Sequence, residues 1–362
     1  MTPSIFRIPI FLLIFITFLA DGTAFLAENS LTVIAVGDTM MGSTGSRGIL
    51  PPEDGRDIFK PVLPLLAGGD IVFGNLEGPL LDGGESKKCR DEKSRNCFEF
   101  KTPTRFGGYL KEAGFTVLNL ANNHTFDFGE EGLKSTLETL RFLGLEPLGG
   151  QAIVEMTIKG KKIALVGFSY QASPYAYSIL EIGQAKEIIS QLKAAHDLVI
   201  VSFHGGAEGK AALEVPEGRE IFLGEDRGKV RQFARSMVDA GADLVLGHGP
   251  HVLRALEVYK KRLIAYSLGN FLTYGSFNIK GPNGLSMILR IELDLQKGAF
   301  MEGRIFPVKL LNGGLPEPDE SGEALELIKE LTQRDRSRFN VRIDKGGRIS
   351  EADSGIGRPE GH

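Results

Sequence analysis

The sequence predicts an α/β domain, and three observations carry that prediction. Six short apolar runs are β-branched and nearly continuous, as strands covered on both faces are. Amphipathic segments of helical period fall among them. Three later runs alternate apolar with polar residues, as antiparallel strands do. Strand alternating with helix is the pattern of a layered α/β architecture.

The chain starts with a segment of another kind. Arg7 precedes Ile8 to Ala20, which is apolar apart from Pro9 and Thr17. A membrane span needs roughly 20 apolar residues, so this run better fits the core of a secretory signal. Small residues follow at Gly22 to Ala24, and cleavage after Ala24 or Ala27 is expected. The alternative is a membrane anchor retained over residues 1–27. Either way the rest of the chain is exported, to the periplasm, the exterior or the cell surface.

The first six strands are read at 31–38, 70–77, 115–124, 161–169, 197–206 and 243–251, and the alternating three at 262–271, 285–295 and 302–311. One helix is expected in 129–144, where Leu133, Leu137 and Leu140 share a face. A second lies before Gly241, with Val230, Phe233, Ala234, Met237 and Val238 at helical spacing and the glycine as terminator. Residues 313–344 read as an extension holding one last helix, in "SGEALELIKELTQR". The Gly-rich polar end, 345–362, reads as a disordered tail.

Composition narrows the function. Of the 362 residues, 42% are hydrophobic and 24% charged, which is ordinary for a globular chain. The net charge is −4, with no basic excess of the kind that binds nucleic acid. The mixed-sign run Lys87 to Arg95 reads as solvated surface. It contains Cys89, and Cys97 follows; these are the two cysteines of the chain. Export favours a local disulfide, worth roughly 2–3 kcal/mol in the chain-entropy account.

The polar residues concentrate at strand ends. Asp38 and Glu77 close the first two runs, and Asn122, Asn123 and His124 the third. His204 stands near the end of the fifth, and His248 and His251 at the end of the sixth. Carboxyl ends of strands line the ligand crevice of α/β sheets. Oxygen and imidazole donors without thiolate suit one or two ions of Mn, Fe, Zn or Mg. Asp70 is excluded, because the strand between it and Glu77 spans about 23 Å. Asn122 reads as a turn former.

These segments resemble the CapA-type proteins of capsule or poly-γ-glutamate synthesis. "VGDTMMG", "DIVFGNLEGPL", "AGFTVLNLANNHTFDFGEEGL", "VSFHGGAEG", "AGADLVLGHGPHVL" and "YSLGNF" occur in the family's order, over roughly residues 31–312. The family is similar to calcineurin-like metallophosphoesterases. That resemblance implies a four-layer α/β/β/α sandwich. It also implies metal ligation by Asp38, Glu77, Asn123, His204, His248 and His251, with His124 catalytic. Asp127 is its expected orienter, and Arg254 and Glu208 are candidates for substrate contact. The first motif reads Asp38-Thr39-Met40 where Asp-x-His is usual, so the set suits one ion or an altered pair assisted by Glu208. The implied activity is metal-dependent hydrolysis of a phosphoester. The alternative is a non-catalytic surface component binding a polymer or its synthase through a degenerate site. Under either reading, a retained N-terminal anchor would add membrane association.

Overall fold

The computed structural model describes residues 29–45, 48–86, 88–89, 97–275, 277–334 and 339–352. The expected signal or anchor over 1–27, most of the mixed-sign run and the tail from 353 lie outside the described residues. Among the described residues no helix is long and apolar enough to cross a membrane.

Along the chain the strands are β1 (Ser30–Met40), β2 (Ile71–Leu76), β3 (Val117–Asn119), β4 (Glu146–Leu148), β5 (Val154–Ile158), β6 (Lys161–Ser169), β7 (Tyr177–Ser178) and β8 (Leu198–His204). There follow β9 (Glu220–Phe222), β10 (Glu225–Gly228), β11 (Leu244–His248), β12 (Leu256–Tyr259), β13 (Arg262–Ala265), β14 (Asn270–Thr273) and β15 (Leu285–Asp294). The last are β16 (Phe300–Leu311), β17 (Leu315–Pro318), β18 (Val341–Ile343) and β19 (Arg348–Glu351). The helices are α1 (Leu63–Leu66), α2 (Gly107–Glu112), α3 (Gly129–Phe142), α4 (Ile182–Ala195), α5 (Val230–Ala240) and α6 (Glu323–Gln333).

Two sheets result. The first runs β18-β19-β16-β15-β1-β2-β3-β4, with β14 added on β1 and β17 on β16. The second runs β12-β13-β11-β8-β6-β5, with β7 beside β6. Alternating residues of one strand serve two cores. On β1, Val33 and Ala35 face the second sheet, where Leu165, Ile200 and Leu246 meet them. Ile34 and Val36 face outward, under Leu110 of α2 and Leu140 of α3. On β8, Val199, Val201 and Phe203 pack against Ile189 of α4 and Phe233 and Met237 of α5. The layers are therefore helix, sheet, sheet, helix. Burial on both faces is why these strands read as continuous apolar runs.

Several elements differ from the sequence reading. The run 262–271 is two strands, not one antiparallel strand. β13 lies parallel to β11 and antiparallel to β12, whereas β14 lies parallel to β1 in the other sheet. Between them the chain crosses sheets, with Leu268 N on Gly247 O and Asp38 N on Gly269 O. The run 115–124 keeps only three residues of strand. Side chains of Asn119 and Asn122 then accept from Ala121 N and His124 N, diverting the backbone into turns. Helix α4 has no counterpart in the sequence reading, because its buried face narrows to Ala185 and Ile189. The tail expected from 345 contains β19, paired with β16 and β18. Its Ile349 is fully buried, which offsets the glycines before it. Residues 313–344 likewise add strands β17 and β18 to the helix α6.

Candidate metal centre

All parallel strands of both sheets end on the same side, and the site forms where the two sets of ends meet. Asp38 sits where β1 shifts register against β2 and β14. The shift centres on Gly37, where a Cβ would stand 2.0 Å from Gly269 O. Only glycine lets the crossing segment approach so closely, and the bulge turns Asp38 into the space between the sheets. Asn75 pairs with Asp38 across β1 and β2. Glu77, two residues on, points the same way. His204 and His248 are register partners on β8 and β11.

Oxygens or nitrogens of Asp38, Glu77 and His204 lie within 4.8 Å of one another, and all three residues are buried. His204 Nδ1 is 3.8 Å from Glu77 Oε1. His248 Nδ1 is 3.4 Å from Asp38 Oδ1. His251 Nδ1 is 2.9 Å from Asp38 Oδ2, out of line for a hydrogen bond, and 3.0 Å from Asn270 Oδ1. His251 holds a left-handed φ of 56°. The amides of Asn270 and Asn283 both donate to its carbonyl and hold it in that uncommon conformation. Asp38 Oδ2, Glu77 Oε2, Asn123 Oδ1 and both ring nitrogens of His248 are buried without a hydrogen-bond partner. Such atoms are costly unless something binds them.

The electrostatics agree. Burial drives the Glu77 carboxyl well up, and the adjacent Asp38 charge adds to this. Burial would also raise Asp38, but His248 and His251 outweigh it and hold that carboxyl below the usual range. Burial pushes His204 well down. It opposes protonation of His251 too, yet Glu77 and Asp38 draw that imidazole up to about 10. Two buried carboxyl groups thus stand against each other in this cluster, a crowding that a divalent cation would relieve. The donor set, its spacing and its unpartnered atoms fit such an ion.

Beside the cluster opens a cleft of about 630 Å³, lined by Asn123, His124, Glu208 and His251 among others. His124 Nδ1 lies 2.7 Å from Asp127 Oδ2, and its ring stacks on Phe100 at 4.3 Å. Burial lowers the His124 pKa against the pull of Asp127. The Cys89–Cys97 disulfide is formed.

The predicted residues therefore divide. Asp38, Glu77, His204, His248 and His251 converge, and Asn123, His124 and Asp127 stand at the cleft beside them. Glu208 reaches the cleft, but its carboxylate is taken by Arg227 at 2.7 Å. Arg254, expected to meet an anionic substrate, does not reach it. Its guanidinium is fully buried and bonded to Glu220 and to the carbonyls of Ala207 and Ala212. Met40, at the position of the usual motif histidine, is fully buried, with its sulfur 3.3 Å from Gly42 N.

An asparagine network escaped the sequence reading. Asn75 Nδ2 donates to Asp38 Oδ1 at 2.8 Å and to Glu77 Oε1 at 3.3 Å. Its oxygen receives the amides of Asn119 and Asn122. Asn122 both shapes the turn, as expected, and ties it to β2 through Leu76 O. The available signal was period two on β2, which places Asn75 on the face of Glu77.

Residues 32–274 match the family model described as bacterial capsule synthesis protein PGA_cap. The chain is 34% identical over 305 residues to the capsule biosynthesis protein CapA of Bacillus anthracis, covering 75% of this chain and 69% of that one. It is 29% identical over 339 residues to the PGA biosynthesis protein CapA of Bacillus subtilis, with 88% and 82% covered. Among solved structures, a novel phosphatase of Mycoplasma pneumoniae aligns with a TM-score of 0.48 at 15% identity, covering 82% of this chain and 97% of that one.

Proposed function

This chain belongs to the bacterial capsule synthesis protein family, and on that premise we propose that it is a divalent-metal-dependent phosphoesterase serving capsule or polyglutamate assembly at the cell surface. The observation that carries the reading is the set of buried, unpartnered donor atoms on Asp38, Glu77, Asn123 and His248. With His204 and His251 they form the site that would hold the ion. A divalent cation supplies Lewis acidity and a nucleophile from water at neutral pH.

The remaining steps fall to the chain. The hydrogen bond to Asp127 fixes the proton of His124 on Nδ1 and leaves Nε2 for the cleft. When Nε2 is protonated as well, burial makes His124 the stronger acid. It gives the Nε2 proton to the leaving oxygen as the oxygen of the nucleophile bonds to phosphorus and the ester P–O bond breaks. The asparagine network keeps Asp38 and Glu77 aimed inward throughout. The names of the relatives, a capsule biosynthesis and a PGA biosynthesis protein, support a role beside a polymer and its synthase, and the apolar run Ile8 to Ala20 supports export.

The test uses the purified chain. Manganese should raise its Tm, by about 2.7 kcal/mol of stabilisation at a hundredfold excess over Kd. It should also support hydrolysis in a phosphoester panel, and His248→Ala should lose both effects. A wild-type chain that binds no divalent metal ends the proposal.

A further inference from the structure

We propose that Lys88 is a substrate-contacting residue, whose ammonium binds an anionic oxygen of the substrate beside His124, and that the Cys89–Cys97 bond holds it there. The inference rests on the phosphoesterase reading for the identity of that oxygen. Three observations motivate it.

The first is anchoring. The Ser86 hydroxyl donates to Asp127 O at 2.8 Å and accepts from Lys88 N at 3.1 Å, so Ser86 and Lys88 are both tied to the turn carrying His124. Lys88 Nζ then donates to Asp127 Oδ1, and to Asn123 O at 3.3 Å. After the disulfide the chain returns to the same carboxylate, where Phe100 N donates to Asp127 Oδ2 at 2.8 Å. The disulfide therefore joins the two segments that grip Asp127 from either side.

The second is donor capacity. An ammonium has three N–H groups. Asp127 and Asn123 take two. His124 Nδ1 lies 3.3 Å away, but it donates its own proton to Asp127 and cannot accept the third. Lys88 lines the cleft with its side chain 34% exposed, so that N–H is available to a ligand.

The third is the lack of another exposed lysine or arginine. Among the described residues that line the cleft, the lysine and arginine side chains are Lys88 and Arg227, and the His251 imidazole belongs to the proposed metal-ligand set. Arg227 is held by Glu208 at 2.7 Å and Glu225 at 2.9 Å, which offset its charge, with its guanidinium 4.0 Å from the Tyr170 ring centroid. Its Nε has no partner, but it is buried, and the side chain is 4% exposed against 34% for Lys88. Lys88 shares its carboxylate with His124.

The experiment measures two quantities on the manganese-loaded full chain. One is the Kd of inorganic phosphate by calorimetry, and the other is KM against kcat for 4-nitrophenyl phosphate. Lys88→Met should weaken phosphate binding and raise KM by about tenfold, the effect of one charge-assisted contact. Lys88→Arg should recover most of the loss. A thiol reductant should weaken phosphate binding by wild type and have much less effect on Lys88→Met. Equal phosphate affinity in wild type and Lys88→Met overturns the proposal, as does a wild type that binds no phosphate. Lys88-dependent phosphate binding without turnover upholds the contact and removes the hydrolase reading instead.

Discussion

Arg254 offers the sharpest test of how charge is used around this site. Its side chain has no accessible surface. It makes four hydrogen bonds, to Glu220 Oε1 at 3.1 Å, Glu220 Oε2 at 2.7 Å, Ala212 O at 2.6 Å and Ala207 O at 3.1 Å. Glu220 also accepts from Ala207 N at 2.9 Å. The pair thus fastens β9 and the loop before it to the segment after His251. Removing one partner of a buried pair costs about 3–5 kcal/mol, because the other charge stays buried. Arg254→Met should fall at the upper end, since it also strands two carbonyls. Glu220→Gln should fall near the lower end, because its amide oxygen still accepts from the guanidinium. The double change Arg254→Met, Glu220→Met should recover part of the loss.

Urea unfolding gives each difference as a shift in midpoint at constant slope. The reasoning fails if Arg254→Met changes stability by less than about 1 kcal/mol, the range of exposed pairs, while phosphate affinity falls. That outcome would return the guanidinium to the ligand, as the sequence reading had it.

Two further outcomes follow from the geometry. Gly37→Ala would set a methyl 2.0 Å from Gly269 O, so the crossing segment must shift. We expect a loss of about 1–3 kcal/mol, and a drop in manganese affinity as Asp38 moves; unchanged metal affinity would separate the bulge from the site. Asp319 caps α6, accepting from Ala324 N at 2.8 Å and from Ser321. Burial would raise its pKa, but those hydrogen bonds lower it overall. A depressed carboxyl contributes stability above its unfolded pKa of about 3.9 that is lost as pH falls through the folded value. The difference between wild type and Asp319→Asn should therefore be constant at neutral pH and shrink below about pH 4; a difference that grows on acidification would contradict the cap.

Coverage of the strands on both faces was legible because it leaves a mark in one strand, whereas the four-layer order was implied by the family resemblance. Val33 to Val36 must all be apolar when neighbours in sequence serve opposite cores. The split of 262–271 left no such mark. Tyr266 and Leu268 are as buried as the strands around them, so the alternation read over this run continues through the crossing from one sheet to the other. What breaks the strand is a tertiary event, the capture of Gly269 O by Asp38 N. The same close approach produces the bulge that aims Asp38.

The site shows the same boundary between local and long-range information. Ligand-type residues could be found because each ends a strand, and strand ends of one direction gather on one side of a sheet. Their supports could not be found this way. Asn75 matters through Asp38, 37 residues away, and through Asn119, 44 residues away. Arg254 and Lys88 were ranked in reverse for a related reason. Arg254 follows the histidine pair in sequence, and adjacency made it look like a substrate group. Lys88 lies in a run of mixed charge that reads as plain surface, until folding brings it onto Asp127, 39 residues on. Arg254 stands next to the site in sequence, yet it engages four of its five donors on Glu220 and two carbonyls and has no accessible surface. A lysine carries three donors on a flexible stem, and with two engaged it still has one to offer. A spare donor exposed in the cleft, rather than distance along the chain, decides which cation is left for a ligand.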